Sequence, residues 1–189
     1  MRAGVPLARL AVLGLLLGDC GALRAAEFAD APPDVAAEAA RSTTPRMIEA
    51  CILAAAQLHR LPPAVLVILL NVEGGTLGHV SQNTNDTVDI GPMQVNQIWL
   101  PRLARHWEAS VTATFLALRD NFCANVEGGA WILQQAVDDV HGDFWLGVAN
   151  YHSHDPGYQR DYLGHVLREV ERLEPAPHPD ATQMRLAGR

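Results

Sequence analysis

The residue in this chain whose type and setting most suggest chemistry is Glu73. It ends the run Val65-Leu66-Val67-Ile68-Leu69-Leu70-Asn71-Val72, a stretch that favours a dry environment. A carboxylate at the end of such a segment is partly desolvated, which disfavours its charged form and raises its proton affinity. A helix C-terminus, carrying partial negative charge, pushes the same way. An acid poised like this holds a proton near neutral pH and can donate it to a leaving oxygen. The plain alternative is a solvated acid at a helix end. Two further acids, Asp86 and Asp89, are candidates for a second carboxylate of a glycoside hydrolase; for Asp89 the favoured reading is instead an N-cap for a helix opening near Gly91. His152, His154 and His165 invite a metal reading, but their spacing matches no zinc signature and no fourth ligand is evident, so neither metal nor cofactor is expected. Trp99, Trp107, Trp131 and Trp145 are candidates for stacking on sugar rings, although most fall at apolar helical positions that suit a core.

The elements that must position these residues are mostly helical. Thr44-Pro45 is a capping residue followed by proline at the first helical position. Met47, Ile48, Cys51, Leu53, Ala55 and Leu58 then form one apolar face. Leu61-Pro62-Pro63 breaks that helix, and Pro63 opens a second, Ala64 to Glu73, apolar nearly all round and therefore buried. Gly74-Gly75 supplies the backbone freedom that stops it. Residues 76–90 are polar, without helical or strand period: a long loop, or a small hairpin around Asn85-Asp86. A helical pattern returns from Gly91 to about Leu103, with Pro101 kinking or ending it. Ser110 caps a short helix to Arg119. A longer helix covers Asn121 to Val140, in which Gly128-Gly129 allows a close neighbour. Gly142 to Ser153 is apolar and aromatic. Tyr158, Tyr162, Val166, Val170 and Leu173 share one face of a final helix. There is no internal repeat.

The ends read differently. Arg2 and Arg9, the apolar run Leu10 to Leu17 and the small residues ending at Ala25-Ala26 have the form of a secretory signal, so residues 1–26 are expected to be removed on export. Cys20 raises a lipoprotein alternative, which Asp19 before it disfavours. Residues 27–43 read as a linker and 174–189, with Pro175, Pro177 and Pro179, as a disordered tail. The folded domain is then 44–173, one domain by length. With a formal charge of −7, no lysine and no basic stretch, the chain lacks the footprint of a nucleic-acid binder. Export leaves Cys51 and Cys123 as an even pair in an oxidising compartment, where a disulfide is expected over two free thiols.

Three segments in order carry a resemblance. Glu73 is followed by "NTNDTVDIGPMQVNQIWLP", Asn83 to Pro101; then come "NFCANVEGGAWIL", Asn121 to Leu133, and "ANYHS", Ala149 to Ser153. Together they resemble the soluble lytic transglycosylases, in particular the small specialised ones that accompany conjugation, type IV secretion and pilus machines. The resemblance covers about residues 45–173. It implies a lysozyme-like, mostly α domain in which Glu73 is the catalytic acid. Gly91, Met93 and Gln94 would line the sugar groove, and Asn96 would hold a structural or groove-edge position. The hydroxyl of Tyr151 would hold the catalytic carboxylate, and Cys51 and Cys123 would match the cysteine pair of the secretion-associated members. Two departures stand out: Gly74 replaces the usual Ser or Thr after the acid, and His152 replaces an Asn after the motif tyrosine.

The implied reaction needs one carboxylate. Protonated Glu73 would donate to the β-1,4 oxygen between N-acetylmuramic acid and N-acetylglucosamine while oxocarbenium character develops on the muramoyl ring. As a base it would then deprotonate the same sugar's O6 hydroxyl, giving a 1,6-anhydro end. Asn83, Asn85, Thr87, Asp89 and His152 are the expected further substrate contacts, with the polar loop as one wall and Met93 and Gln94 as the floor. A periplasmic monomer working on peptidoglycan strands beside a secretion, conjugation or pilus assembly is the expectation. A two-carboxylate muramidase and a non-catalytic wall-binding assembly subunit are the alternatives.

Overall fold

A computed structural model describes residues 43–174. The expected signal peptide, Cys20, and nearly all of the expected linker and tail lie outside the described residues. Among the described residues the chain forms seven α-helices and one small antiparallel sheet, so the mostly α expectation holds. Helix α1 is Pro45–His59; Thr44 accepts from the Met47 amide and Pro45 opens the first turn. Helix α2 is Pro63–Glu73, and Gly74 ends it at φ 62°, where a side chain would be strained. Leu66 and Leu69 of α2 are fully buried; each contributes roughly 1.5–3 kcal/mol by leaving water.

Three short strands follow: β1 Val80–Gln82, β2 Val88–Ile90 and β3 Val95–Asn96, in the order β1-β2-β3. Val80 pairs with Ile90 and Gln82 with Val88, while Ile90 pairs with Val95. Of the two forms open for residues 76–90, a long loop or a small hairpin around Asn85-Asp86, the chain adopts the hairpin. Its turn is Thr84-Asn85-Asp86, with Asp86 at φ 61°, and the Asn85 side chain accepts from the amide and hydroxyl of Thr87. A three-residue turn ending in a left-handed residue suits the twist of the flanking strands.

The segment after Gly91 corrects the sequence reading. Residues 91–99 are not a helix: they form a turn, strand β3 and a single 3-10 turn, Gln97–Trp99. Helix α3 begins only at Leu100 and runs to His106, and Pro101 opens it instead of kinking or ending it. The apolar positions Met93, Val95, Leu100 and Leu103 are all buried, so a mixed strand-and-helix path satisfied the same pattern that suggested one helix.

Helix α4 is Val111–Asp120, capped by Ser110 as expected. Helix α5, Phe122–Asp139, is capped by Asn121 and forms the centre, packed by α1, α4 and α6. Its two glycines serve close approach. A Cβ on Gly129 would stand 2.8 Å from Met93 Cε, and one on Gly128 would meet Leu118 and Trp107. Helix α6, Phe144–His152, is capped by Asp143; helix α7, Pro156–Leu173, is capped by Asp155 and packs on α6 and α2. Among the described residues no single helix is long and apolar enough to cross a membrane.

Candidate active site

Glu73 ends α2 at the wall of a cleft of about 570 Å3. Burial pushes its carboxyl up to about 7; a hydrogen bond from Tyr162 pulls down and the charge of Asp89 pushes up again. The direction is the one the apolar run implies. At neutral pH the group is close to half protonated, the state in which one residue can give a proton and later take one.

The tyrosine that holds this carboxyl is not the one the resemblance implies. Tyr162, on α7, donates its hydroxyl to Glu73 Oε1 at 2.5 Å. Tyr151, on α6, instead donates to the backbone carbonyl of Met93 at 2.8 Å. Tyr151 does line the cleft, and burial together with the charges of Glu73 and Asp89 holds its phenol well above the ordinary range. Its bond fastens α6 to the turn beside the acid. Tyr162 lies on the apolar face of α7, where its spacing marks it only as a core residue. Nothing in the chain's local pattern separates it from Val166 one turn on, because the distinction arises from α7 crossing the end of α2.

The hairpin forms part of the cleft. Asn83, Asn85, Thr87, Asp89, Gln94 and Asn96 all line it, as expected. They are bound to one another. Asp89 accepts from the Asn83 amide at 2.9 Å on one oxygen and from the Asn96 amide at 2.7 Å on the other. Thr87 Oγ1 accepts from both amides. Asp89 is therefore not a helix cap: it stands in β2, paired with Ser81 and Asn96, and is a second carboxylate in the same cleft as Glu73. Asp86, the other candidate acid, is exposed at the turn and does not line the cleft. Asn83, expected as a sugar contact, donates its amide to Asp89 and Thr87.

Two residues expected in the groove are behind it. Met93 is fully buried in the core, and Gly91 is buried. Gly91 has φ +66°, and a Cβ there would stand 2.5 Å from the Asn125 amide nitrogen and 2.6 Å from the Leu118 carbonyl oxygen. Asn125, 0 % exposed, accepts from the Met93 amide and donates to the carbonyls of Ile90 and Leu118. One buried side chain thus satisfies the Ile90 carbonyl and the Met93 amide on either side of the turn, and ties the turn to the Leu118 carbonyl of α4. Gln94 does reach the cleft, but no helix holds it. It stands at φ 46° with its amide on the Gly91 carbonyl, against Gly75, where a Cβ would overlap that carbonyl.

His152 lines the cleft with its ring flat against Tyr162. Burial lowers its proton affinity, Asp89 raises it and His165 lowers it. Ile98, Trp99 and Tyr158 also border the cleft; Tyr158 is 65 % exposed, and of the four tryptophans only Trp99 lies here. Trp131 meets Trp99 edge-on and is stacked by His106.

His152, His154 and His165 do not converge as a ligand set. Among the described residues the convergent group is His59, His106 and Glu127, remote in sequence and unremarked by spacing. Glu127 is a hydrogen-bonded clamp: His59 Nε2 lies 2.7 Å from one oxygen and Trp107 donates to the other. Burial alone would raise this carboxyl, but the bonds from His59 and Trp107 hold it below its usual range. The clamp joins α1, α5 and the end of α3. Beside it the expected Cys51–Cys123 disulfide joins α1 to α5.

The chain matches no protein-family model and no curated protein sequence.

Proposed function

We propose that this chain is a lytic transglycosylase of the bacterial cell wall with a lysozyme-like domain. It cleaves the β-1,4 bond between N-acetylmuramic acid and N-acetylglucosamine to leave 1,6-anhydro ends. The observation that carries the reading is Glu73: an acid pushed to about 7 at the wall of a cleft lined in large part by short amide and hydroxyl side chains that suit sugar hydroxyls and acetamido groups. Glu73 protonates the leaving oxygen, then as a base takes the proton of the muramoyl O6 hydroxyl as that oxygen attacks C1. Tyr162 keeps the carboxyl oriented through both steps. Exported to the periplasm, the enzyme opens the wall locally for a secretion, conjugation or pilus apparatus.

A second reading is favoured by Asp89. A carboxylate pinned by two amides in the cleft of the acid is what a hydrolysing muramidase uses, either to support the oxocarbenium ion or to direct water. Mass spectrometry of wall digested with the purified chain separates the readings. Fragments lacking one water at the muramoyl end, made equally by Asp89→Asn, support transglycosylation. Reducing ends, lost in Asp89→Asn, support the muramidase. No cleavage by folded protein that still sediments with wall material leaves a non-catalytic wall-binding subunit.

A further inference from the structure

Three side chains from three helices stand in series at the acid. The imidazole of His152, in the last turn of α6, lies on the ring of Tyr162 with centroids 4.5 Å apart and planes 2° from parallel. The hydroxyl of Tyr162, on α7, donates to Glu73 Oε1, at the end of α2. Tyr162 is 5 % exposed while His152 borders the cleft, so the imidazole is the cover between the phenol ring and the solvent of the groove.

A tyrosine hydroxyl sits at the end of a long lever, and a small swing of the ring about the Cα–Cβ bond carries it away from a partner. Only packing on the ring faces removes that freedom. Helix α6 ends at His152, with the chain leaving in extended form at Ser153. The stack is therefore placed by the end of one helix against the face of the next. The charged and titratable groups around this imidazole are Asp89 on β2, His165 and Tyr162 on α7, and Glu73 beyond the phenol. A flat, polar ring covers the phenol while remaining compatible with a wet cleft.

We propose that His152 is a positioning residue: by stacking on Tyr162 it holds the phenol hydroxyl on the Glu73 carboxyl, and so sets the line of proton delivery without handling the proton itself. This rests on Glu73 being the proton donor of the proposed function, but the stack and the bond can be tested without substrate.

Misplacement of a catalytic group by an ångström costs up to about a hundredfold in rate. A loosened Tyr162 should therefore reduce kcat by about tenfold in His152→Ala, with KM changed less than about twofold. His152→Phe, which restores a flat ring but no ring nitrogen, should recover most of that loss. In a Tyr162→Phe background His152→Ala should add almost nothing, because the hydroxyl it positions is gone. Failure of phenylalanine to rescue, together with a rise in KM, would instead make His152 a sugar contact and overturn the proposal, as would additive losses in the double variant. Independently of substrate, the Glu73 carboxyl can be titrated by 13C NMR in proteins shown to be folded by circular dichroism. Its pKa should rise in Tyr162→Phe and in His152→Ala, through loss of the donor that lowers it, with no further rise in the double variant. Should these shifts appear in a wild-type protein that cleaves no wall material, the proposed function fails and the positioning role stands. If His152→Ala leaves the Glu73 titration unmoved, the positioning role fails whatever the activity.

Discussion

Replacing Glu73 by glutamine should abolish cleavage and at the same time make the fold more stable, by an amount that depends on pH. The carboxyl titrates at about 7 in the folded chain against an ordinary 4.5. Below pH 4.5 it is protonated in both folded and unfolded chains and contributes no pH dependence. Between 4.5 and 7 the folded chain keeps a proton that the unfolded chain has lost, so stability falls as pH rises. Above 7 the loss is complete. At 1.36 kcal/mol per unit, and with a discount for the water that still reaches this partly buried group, the loss is about 2–3 kcal/mol. Glutamine has the same shape, its amide oxygen can accept from Tyr162, and it does not titrate. Urea denaturation of wild type and Glu73→Gln at pH 4 and pH 8 reads the difference directly, and groups that titrate in both proteins, His152 among them, largely cancel. The variant should match wild type at pH 4 and exceed it by about 2–3 kcal/mol at pH 8. Wild-type kcat/KM should fall with an alkaline limb near 7. A stability difference that is the same at both pH values would refute the idea that burial raises this acid, and a folded Glu73→Gln with wild-type cleavage would remove it from the mechanism.

The two tyrosines should behave differently. Tyr162→Phe should lower kcat by at least the roughly tenfold expected of His152→Ala and shift the alkaline limb upward, since its bond lowers the Glu73 pKa. Tyr151→Phe should destabilise the fold by about 1–3 kcal/mol, because the Met93 carbonyl loses its donor; pH-rate profiles and urea melts distinguish them. Removal of the disulfide by Cys51→Ala with Cys123→Ala should cost about 4 kcal/mol in the chain-entropy model, given a separation of 72 residues, read as a shift of the urea midpoint. Gly129→Ala should cost about 1–3 kcal/mol by pressing a methyl group onto Met93, and thermal melts will report it.

Much of this protein is legible in local pattern. Thr44-Pro45, Pro63, Gly74 and Ser110 mark helix ends by chemistry that acts within one turn, and those ends fall where the marks lie. The elevated proton affinity of Glu73 follows from the run before it, because eight neighbouring residues were enough to show that its surroundings are dry. The cysteine pairing was likewise readable, while the hairpin around Asn85-Asp86 was one of two forms, hairpin or long loop, that the local pattern allowed. Residues 91–99 were not. Buried positions at Met93, Val95 and Leu100 fit a helix or a strand equally, and the choice was made by Asn125, on α5, which supplies the hydrogen bonds that the turn at Gly91 lacks. The position of Asp89 went with it: without a helix at Gly91 there was nothing to cap, and pairing with β1 and β3 placed the carboxylate in the cleft instead. Which tyrosine holds the acid was decided by the crossing of α2 and α7. Side chains 89 positions apart along the chain meet there, and a contact of that range leaves no periodic trace, because each residue's own neighbours are the same whether or not its partner arrives.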